Sequence, residues 1–376
     1  MGNSCGKERD KDPKEKRALR QWTACSKLSL SMFKAVEAPL AGHPDKICDI
    51  IVESVVDEYL RRDPVSRMDI QALGSNGMVM LGGVAESKAD FDVAEIARKA
   101  YEDVGYNEPV EFFVNLEKPS STHNLKPMMP RVAGAHGTAI IYGYATRETR
   151  EMLPPAVVFA HALARRIDDL RRSDPNFAWL KPDGKIQLAM SGKKIEHVTV
   201  IAAHRADMEL SQVQNLLLEH AVKPILGDVE GAKLFINPGG PFTAGGFSLN
   251  AGVSGRKILA DAYGGLLPHG GMALAGKDPQ KPARAGTYMA RYVARELVKE
   301  GLANNVLVHA VYAVGIADPV LLSALGGDGT DLSDLVKDRF DFRAEAIVER
   351  FNLRRPLYAA SATYGMFGRG GVPWEE

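Results

Sequence analysis

Residues 47–84 read ICDIIVESVVDEYLRRDPVSRMDIQALGSNGMVMLGGV, and two periodicities meet inside them. Ile47, Ile51, Val55 and Tyr59 recur at i, i+4 spacing, with Cys48, Val52, Val56 and Leu60 beside them. That row predicts a helix with a broad buried face, beginning right after Gly42-His43-Pro44-Asp45-Lys46. Arg67 to Leu73 and Met78 to Val84 then flank Ser75-Asn76-Gly77, and Asn-Gly between apolar runs predicts a hairpin. Working outward, the alternation returns. Thr138 to Tyr144 reads as a strand, and Phe159, Leu163, Ile167 and Leu170 mark a helix after Pro154-Pro155. Ile186 to Met190 and Ile195 to Ala203 form a second hairpin pattern around Gly192-Lys193, followed by a helix near Leu210 to Val222. A helix from about Tyr288 to Val298, a strand from Val306 to Val314 and a helix around Ala344 to Phe351 complete the pattern. Hairpins followed by helices, repeated about three times, predict α+β layers rather than a parallel doubly wound sheet.

The 376 residues carry 47 Lys+Arg against 47 Asp+Glu, so no global charge draws the chain to nucleic acid or an anionic membrane. No apolar run approaches the roughly 20 residues of a membrane span. Cys5, Cys25 and Cys48 show neither CxxC spacing nor an even count, which predicts a reducing, cytoplasmic setting. Residues 1–31 hold eight basic and four acidic residues and no apolar period. They read as a disordered leader, or as sequence upstream of a functional start at Met32.

The densest chemical signal lies at 236–281, INPGGPFTAGGFSLNAGVSGRKILADAYGGLLPHGGMALAGKDPQK. Eleven glycines stand there among Arg256, Lys257, His269, Lys277 and Lys281. Glycine lets backbone N–H groups approach a ligand, and cations at loop ends neutralise phosphate oxygens. Gly255-Arg256-Lys257 is read as opening a helix, where amide dipoles add to the anion site. GMALAGKD at 271–278 fits G-x4-G-K but ends in Asp where a P-loop needs Ser or Thr, so it is no Walker motif. Gly42-His43-Pro44-Asp45-Lys46 places an imidazole, a possible Mg²⁺ carboxylate and a cation at a helix start. Taken alone, that Asp is more simply a cap or dipole partner. His161 on its helix reads as structural, Met128-Met129 as packing, and Asp328 to Asp338 as a solvated loop and helix start.

Taken together, these segments resemble the S-adenosylmethionine synthetase family (methionine adenosyltransferases) from about Glu37 to the end. The resemblance rests on GHPDK at 42–46, GMVMLGG at 77–83, YGYAT at 142–146, WLKPDGK at 179–185, FINPGGPF at 235–242, SGRK at 254–257, DAYGG at 261–265 and HGG at 269–271. GKDPQK at 276–281, ARYVA at 290–294, YGMFGR at 364–369 and PWE at 373–375 extend it. It implies three similar α+β domains around a pseudo-threefold axis, here 32–130, 131–244 and 245–376. It also implies active sites between the subunits of a homodimer or homotetramer. In the family's reaction, methionine sulfur attacks C5′ of ATP and expels triphosphate, which is then cleaved to phosphate and diphosphate. A thioether has no proton to lose, so preorganised cations on the leaving triphosphate replace a general base.

Carried over residue by residue, the resemblance sets His43 at the ATP oxygen of the breaking bond, Asp45 on Mg²⁺ and Lys46 nearby. Asp183, Lys185 and Ala273 would bind nucleotide, Phe242 would stack on adenine, and Arg256, Lys257, Lys277 and Lys281 would grip the triphosphate. The acceptor half departs from the pattern. Gln71 stands at a potassium-binding Glu, which argues against a potassium requirement. Val84 stands at a methionine-contacting Glu, Gly137 at the acid of a Gly-Asp-Gln-Gly segment, Asn250 at an Asp, and Ala283 at a magnesium Asp. Pro241 replaces the Arg before the adenine-stacking Phe, and the gate segment Lys118 to Arg131 aligns loosely. A buried ammonium without a carboxylate costs several kcal/mol. The expectation is therefore an ATP-dependent adenosyltransferase with an altered acceptor site at Val84, Gly137 and Asn250, for which methionine is not the best substrate. Two alternatives stay open: a tripolyphosphate or ATP hydrolase keeping only the phosphate chemistry, and a silent nucleotide-binding regulatory paralogue. Among the remaining candidates, His136 beside the replaced acid is the one that carries chemical interest.

Overall fold

The computed structural model describes residues 33–117 and 134–376. The leader, Met32, Cys5, Cys25 and the gate segment with Met128-Met129 lie outside the described residues. One unit, strand–helix–hairpin–helix, recurs along the chain, closed by a further strand in its first two copies and by a further helix in its third. It begins with β1 (Phe33–Pro39), α1 (Pro44–Arg62), β2 (Arg67–Ser75), β3 (Met78–Glu86), α2 (Val93–Val104) and β4 (Glu111–Glu117). The second is β5 (Ala139–Thr146), α3 (Pro155–Ser173), β6 (Leu180–Ser191), β7 (Lys194–His204), α4 (Leu210–Leu217) and β8 (Lys233–Ile236). The third runs β9 (Gly252–Val253), α5 (Ile258–Tyr263), α6 (Pro282–Lys299), β10 (Asn305–Tyr312), β11 (Leu321–Gly326), α7 (Ser333–Arg339) and α8 (Ala344–Phe351).

The first strand of each unit leaves its own hairpin and pairs with another. β1 joins β6-β7-β8, β5 joins β10-β11, and β9 joins β2-β3-β4. Each borrowed strand lies antiparallel to its host, while β4 and β8 return parallel to their hairpins. The three sheets are thereby interlocked, and no unit completes its sheet from its own residues.

The long helices fill the space between the sheets. On α1, Ile47, Ile51, Val52, Val55 and Val56 are fully buried, each worth about 1.5–3 kcal/mol of transfer energy. The helix begins inside the GHPDK motif rather than after it, with His43 as the N-cap and Pro44 in the first turn. Proline suits that place because its missing N–H has no partner to lose. α6 is buried along almost its whole length, so its arginines need internal partners. Arg284 meets Glu53 at 2.7 and 2.8 Å, and Arg291 meets Glu375 at 2.8 Å, which ties the C-terminal turn to the core. His161 is buried, with Nε2 3.0 Å from the Ala260 carbonyl. Burial holds its imidazole at about 4, against the raising effect of that carbonyl. Asp328 and Asp331 lie exposed before α7.

Candidate active site

The GHPDK loop is fixed by the strand that follows it in space. The Leu40 N–H donates to the Gly184 carbonyl at 3.0 Å and the Gly42 N–H to Pro182 at 3.1 Å, so Asp183 and Lys185 on β6 lie beside the α1 N-terminus. His43 Nδ1 accepts the Asp45 N–H at 3.2 Å, as an N-cap side chain does. Burial first, and then the Lys257 charge, push its imidazole down to about 4, while Asp45 pulls the other way. The ring is neutral at neutral pH. With Nδ1 accepting, the proton sits on Nε2, which makes His43 a fixed hydrogen-bond donor.

Asp45 is fully buried and gathers the SGRK loop onto α1. Its Oδ1 accepts the Val253 N–H at 2.9 Å and meets Arg256 Nε at 3.0 Å, and its Oδ2 takes Lys257 Nζ at 2.5 Å. Burial would raise this carboxyl, but the Lys257 and Val253 hydrogen bonds carry it below its ordinary value. Arg256 remains half-exposed while Lys257 is largely covered. Lys185 pairs with Glu37 at 2.6 Å.

Lys46 does not face this group. Its ammonium is buried between Asp49 at 2.9 Å and Asp261 at 2.5 Å, and those carboxylates hold it protonated against burial. Asp49 Oδ1 also accepts the Gly255 N–H at 2.6 Å. The triad therefore positions the loop that carries Arg256 and Lys257 instead of contacting anions itself. The expected helix at Gly255-Arg256-Lys257 is also corrected. Helix α5 starts at Ile258 and runs six residues, with Lys257 as its N-cap. Its dipole is too short to matter, so side-chain charge supplies the positive field.

A second group of cations stands on the GKDPQK loop, which is stitched to β2. The Ile70 N–H donates to the Gly276 carbonyl at 2.9 Å, and the Met68 N–H to Asp278 Oδ2 at 2.8 Å. Gly276 has φ +80°, and a Cβ there would stand 1.8 Å from the Ile70 carbonyl oxygen, so only glycine fits. The loop's underside is held by the Arg284–Glu53 pair, since Arg284 Nη2 also donates to the Leu274 carbonyl at 2.5 Å. Lys277 Nζ lies 3.4 Å from Asp69 Oδ1, and Lys281 is the N-cap residue of α6.

Asp183 is buried and accepts the Gly246 N–H at 2.8 Å; burial pushes its carboxyl up to about 6 against the Gly246 and Gly184 hydrogen bonds. The Phe242 N–H lies 3.2 Å from His204 Nε2. Ala273 packs under Gly255, with Cβ 2.2 Å from where a glycine substituent would sit. Of the altered positions, Val84 and Gly137 are half-buried, Asn250 and Pro241 are exposed, and Ala283 is buried in the first turn of α6. His136 Nδ1 lies 3.4 Å from Arg67 Nη2. Gln71 Oε1 accepts Ser254 Oγ–H at 2.9 Å, joining the SGRK loop to β2. Asp49, Asp261 and Glu53 went unread as site residues. The i+4 step from Asp45 to Asp49 was a visible cue that both carboxylates share one face.

Three family models, the N-terminal, central and C-terminal domains of S-adenosylmethionine synthetase, match residues 31–125, 132–242 and 244–376 in unbroken order. The chain belongs to the S-adenosylmethionine synthetase family. Its repeated strand–helix–hairpin unit is thus the three-domain α+β architecture of S-adenosylmethionine synthetases, and the chain falls in a class of transferases. It is similar to the S-adenosylmethionine synthase of Petrotoga mobilis, 35% identical over 387 aligned positions that cover 92% of this chain and 96% of the relative. The S-adenosylmethionine synthase of Deinococcus radiodurans is 34% identical, covering 93% and 97%. That of Aquifex aeolicus is 33% identical, covering 92% and 96%. Among the described residues no helix is long and apolar enough to cross a membrane.

Proposed function

We propose that this chain transfers the adenosyl group of ATP to a small sulfur acceptor, through an acceptor site altered at Val84, Gly137 and Asn250. The observation that carries the reading is the neutral, N-capping His43 set among Asp45, Lys185, Arg256 and Lys257. In the proposed step the acceptor sulfur attacks C5′ and the C5′–O5′ electron pair leaves with the triphosphate. Nε2–H of His43 donates to that oxygen, and Arg256, Lys257, Lys277 and Lys281 meet the charge that develops. Asp183 holds the Gly245-Gly246 turn and Phe242 offers a face for adenine.

Among the described residues no three His, Cys, Asp or Glu side chains gather as a metal cage. Asp45, in the first turn of α1, is the carboxylate that would hold Mg²⁺ arriving on phosphate, by exchanging its Lys257 and Arg256 contacts for the metal; such Mg²⁺ needs only one or two protein carboxylates. Bound there, Mg²⁺ would neutralise phosphate charge. Gln71 offers an amide in place of a carboxylate, so we propose no potassium requirement. Leu73, Met80 and Phe113 lie exposed in register across one sheet, and Ile140, Phe235 and Leu325 are exposed on the others. These faces support a homodimer with sites between subunits.

The test is incubation of the pure protein with ATP, Mg²⁺ and either methionine or deaminated and anionic acceptors, following adenosyl product, triphosphate and diphosphate. Methionine turnover at ordinary synthetase rates would sink the altered-acceptor reading. Triphosphate cleavage without adenosyl product would favour a hydrolase, and silence with nucleotide binding a regulatory paralogue.

A further inference from the structure

Val84 occupies the place where the family resemblance calls for an acid that receives an acceptor's ammonium, and the sheet register shows what stands beside it. Its Cα partner on β2 is Asp69, and its partner on β4 is Glu117. Residues directly opposite share a face, with Cβ atoms about 4.5–5.5 Å apart. The same face is verified two residues along each strand, where Arg67 meets Glu86 at 3.2 Å. A carboxylate absent from Val84 is therefore present one strand over.

Position separates the two neighbours. Asp69 Oδ1 lies 3.4 Å from Lys277 Nζ and accepts Gln71 Nε2–H at 3.4 Å, and Gln71 in turn meets Ser254. Asp69 also bridges the Lys277 backbone. It thus stands between the SGRK and GKDPQK loops, which carry the triphosphate cations, whereas Glu117 ends an edge strand. Both Asp69 contacts are long, its side chain is 36% exposed, and a carboxylate has about four lone-pair sites to fill. Among the described residues, nothing lies within 4 Å of where a side chain would start at Gly82, which faces Gln71 in the register. The described floor beside Asp69 and Val84 leaves room for a small molecule.

We propose that Asp69 is a specificity-determining residue whose carboxylate receives the acceptor's ammonium in place of the acid absent at 84. This rests on the adenosyl-transfer reading above and adds a residue to its acceptor site.

The test compares kcat/KM for methionine with that for its deaminated counterpart, 4-(methylthio)butanoate, in the full chain and in D69N, E117Q and D69N/V84E. The ratio cancels any common effect that Asp69 exerts through Lys277. D69N should lower the preference for the ammonium-bearing acceptor about tenfold or more, as loss of a charge-assisted hydrogen bond does. V84E should restore it, and E117Q should leave it within about twofold. An unchanged ratio in D69N, or a ratio that moves with E117Q instead, overturns the assignment. If no acceptor is turned over at all, the adenosyl-transfer reading fails by itself. Equilibrium dialysis of methionine with the unreactive β,γ-imido analogue of ATP then decides Asp69: binding about tenfold weaker to D69N supports the assignment. Equal binding to both, or none to the unaltered chain, overturns it.

Discussion

Replacing Asp45 with asparagine removes a negative charge from between two cations while keeping the shape of the side chain. The Val253 hydrogen bond at 2.9 Å survives, because the amide oxygen still accepts. The Lys257 contact at 2.5 Å does not, and with Lys257 only 15% exposed its loss is worth about 1.5–3 kcal/mol. The Arg256 contact at 3.0 Å adds about 0–1 kcal/mol, since that side chain is 56% exposed. Urea unfolding followed by tryptophan fluorescence should therefore show D45N less stable by about 1.5–4 kcal/mol. The deficit should shrink when tripolyphosphate is added in the presence of a chelator. The anion takes over as partner of Lys257 and Arg256, and it no longer competes with Asp45 for them, so by mass action it stabilises the variant more than the parent. A stability loss under about 0.5 kcal/mol, or equal stabilisation of both proteins by tripolyphosphate, would refute the reasoning.

Three further outcomes are expected. His43 is held at about 4, against an ordinary 6.5, so the folded chain binds fewer protons than the unfolded chain between those values. Its contribution is complete above pH 6.5 and is lost as pH falls toward 4; H43N should flatten the stability-versus-pH slope in that window, and an unchanged slope would count against a neutral imidazole. Gly276→Ala forces a Cβ to within 1.8 Å of the Ile70 carbonyl oxygen, which should cost about 1–3 kcal/mol and weaken tripolyphosphate binding by calorimetry. Unchanged binding would separate Lys277 from the phosphate site. Replacing potassium by sodium should change turnover by less than about twofold, because Gln71 is committed to Ser254 and Asp69.

Local order was readable from residues alone wherever the pattern was local. The α1 rows, the Asn-Gly hairpin and the Ala344–Phe351 helix lie where periodicity puts them. The strand exchange was not readable, because the alternation of β1, β5 or β9 says which face is buried and nothing about which distant edge it joins. Lys46 misled for a related reason. Its motif neighbours suggested an anion, but Asp261, 215 positions away, captures it. The SGRK segment carries helix-opening residues, yet the Val253 N–H just before it is spent on Asp45, that of Ser254 on the Ala72 carbonyl and that of Gly255 on Asp49, which holds the chain in a turn until Ile258. Asp69 stayed hidden because a lone acid in a hairpin reads as solvent-facing; only the register sets it opposite Val84.

The most direct test of the account is a single-turnover reaction with ATP labelled in the γ-phosphate, quenched at short times and resolved for all phosphate species. If the cations meet charge on a leaving triphosphate, intact tripolyphosphate should appear in step with adenosyl product and then decay to phosphate and diphosphate. Release of phosphate together with ADP, or of diphosphate together with AMP, with no tripolyphosphate at any time, would contradict it.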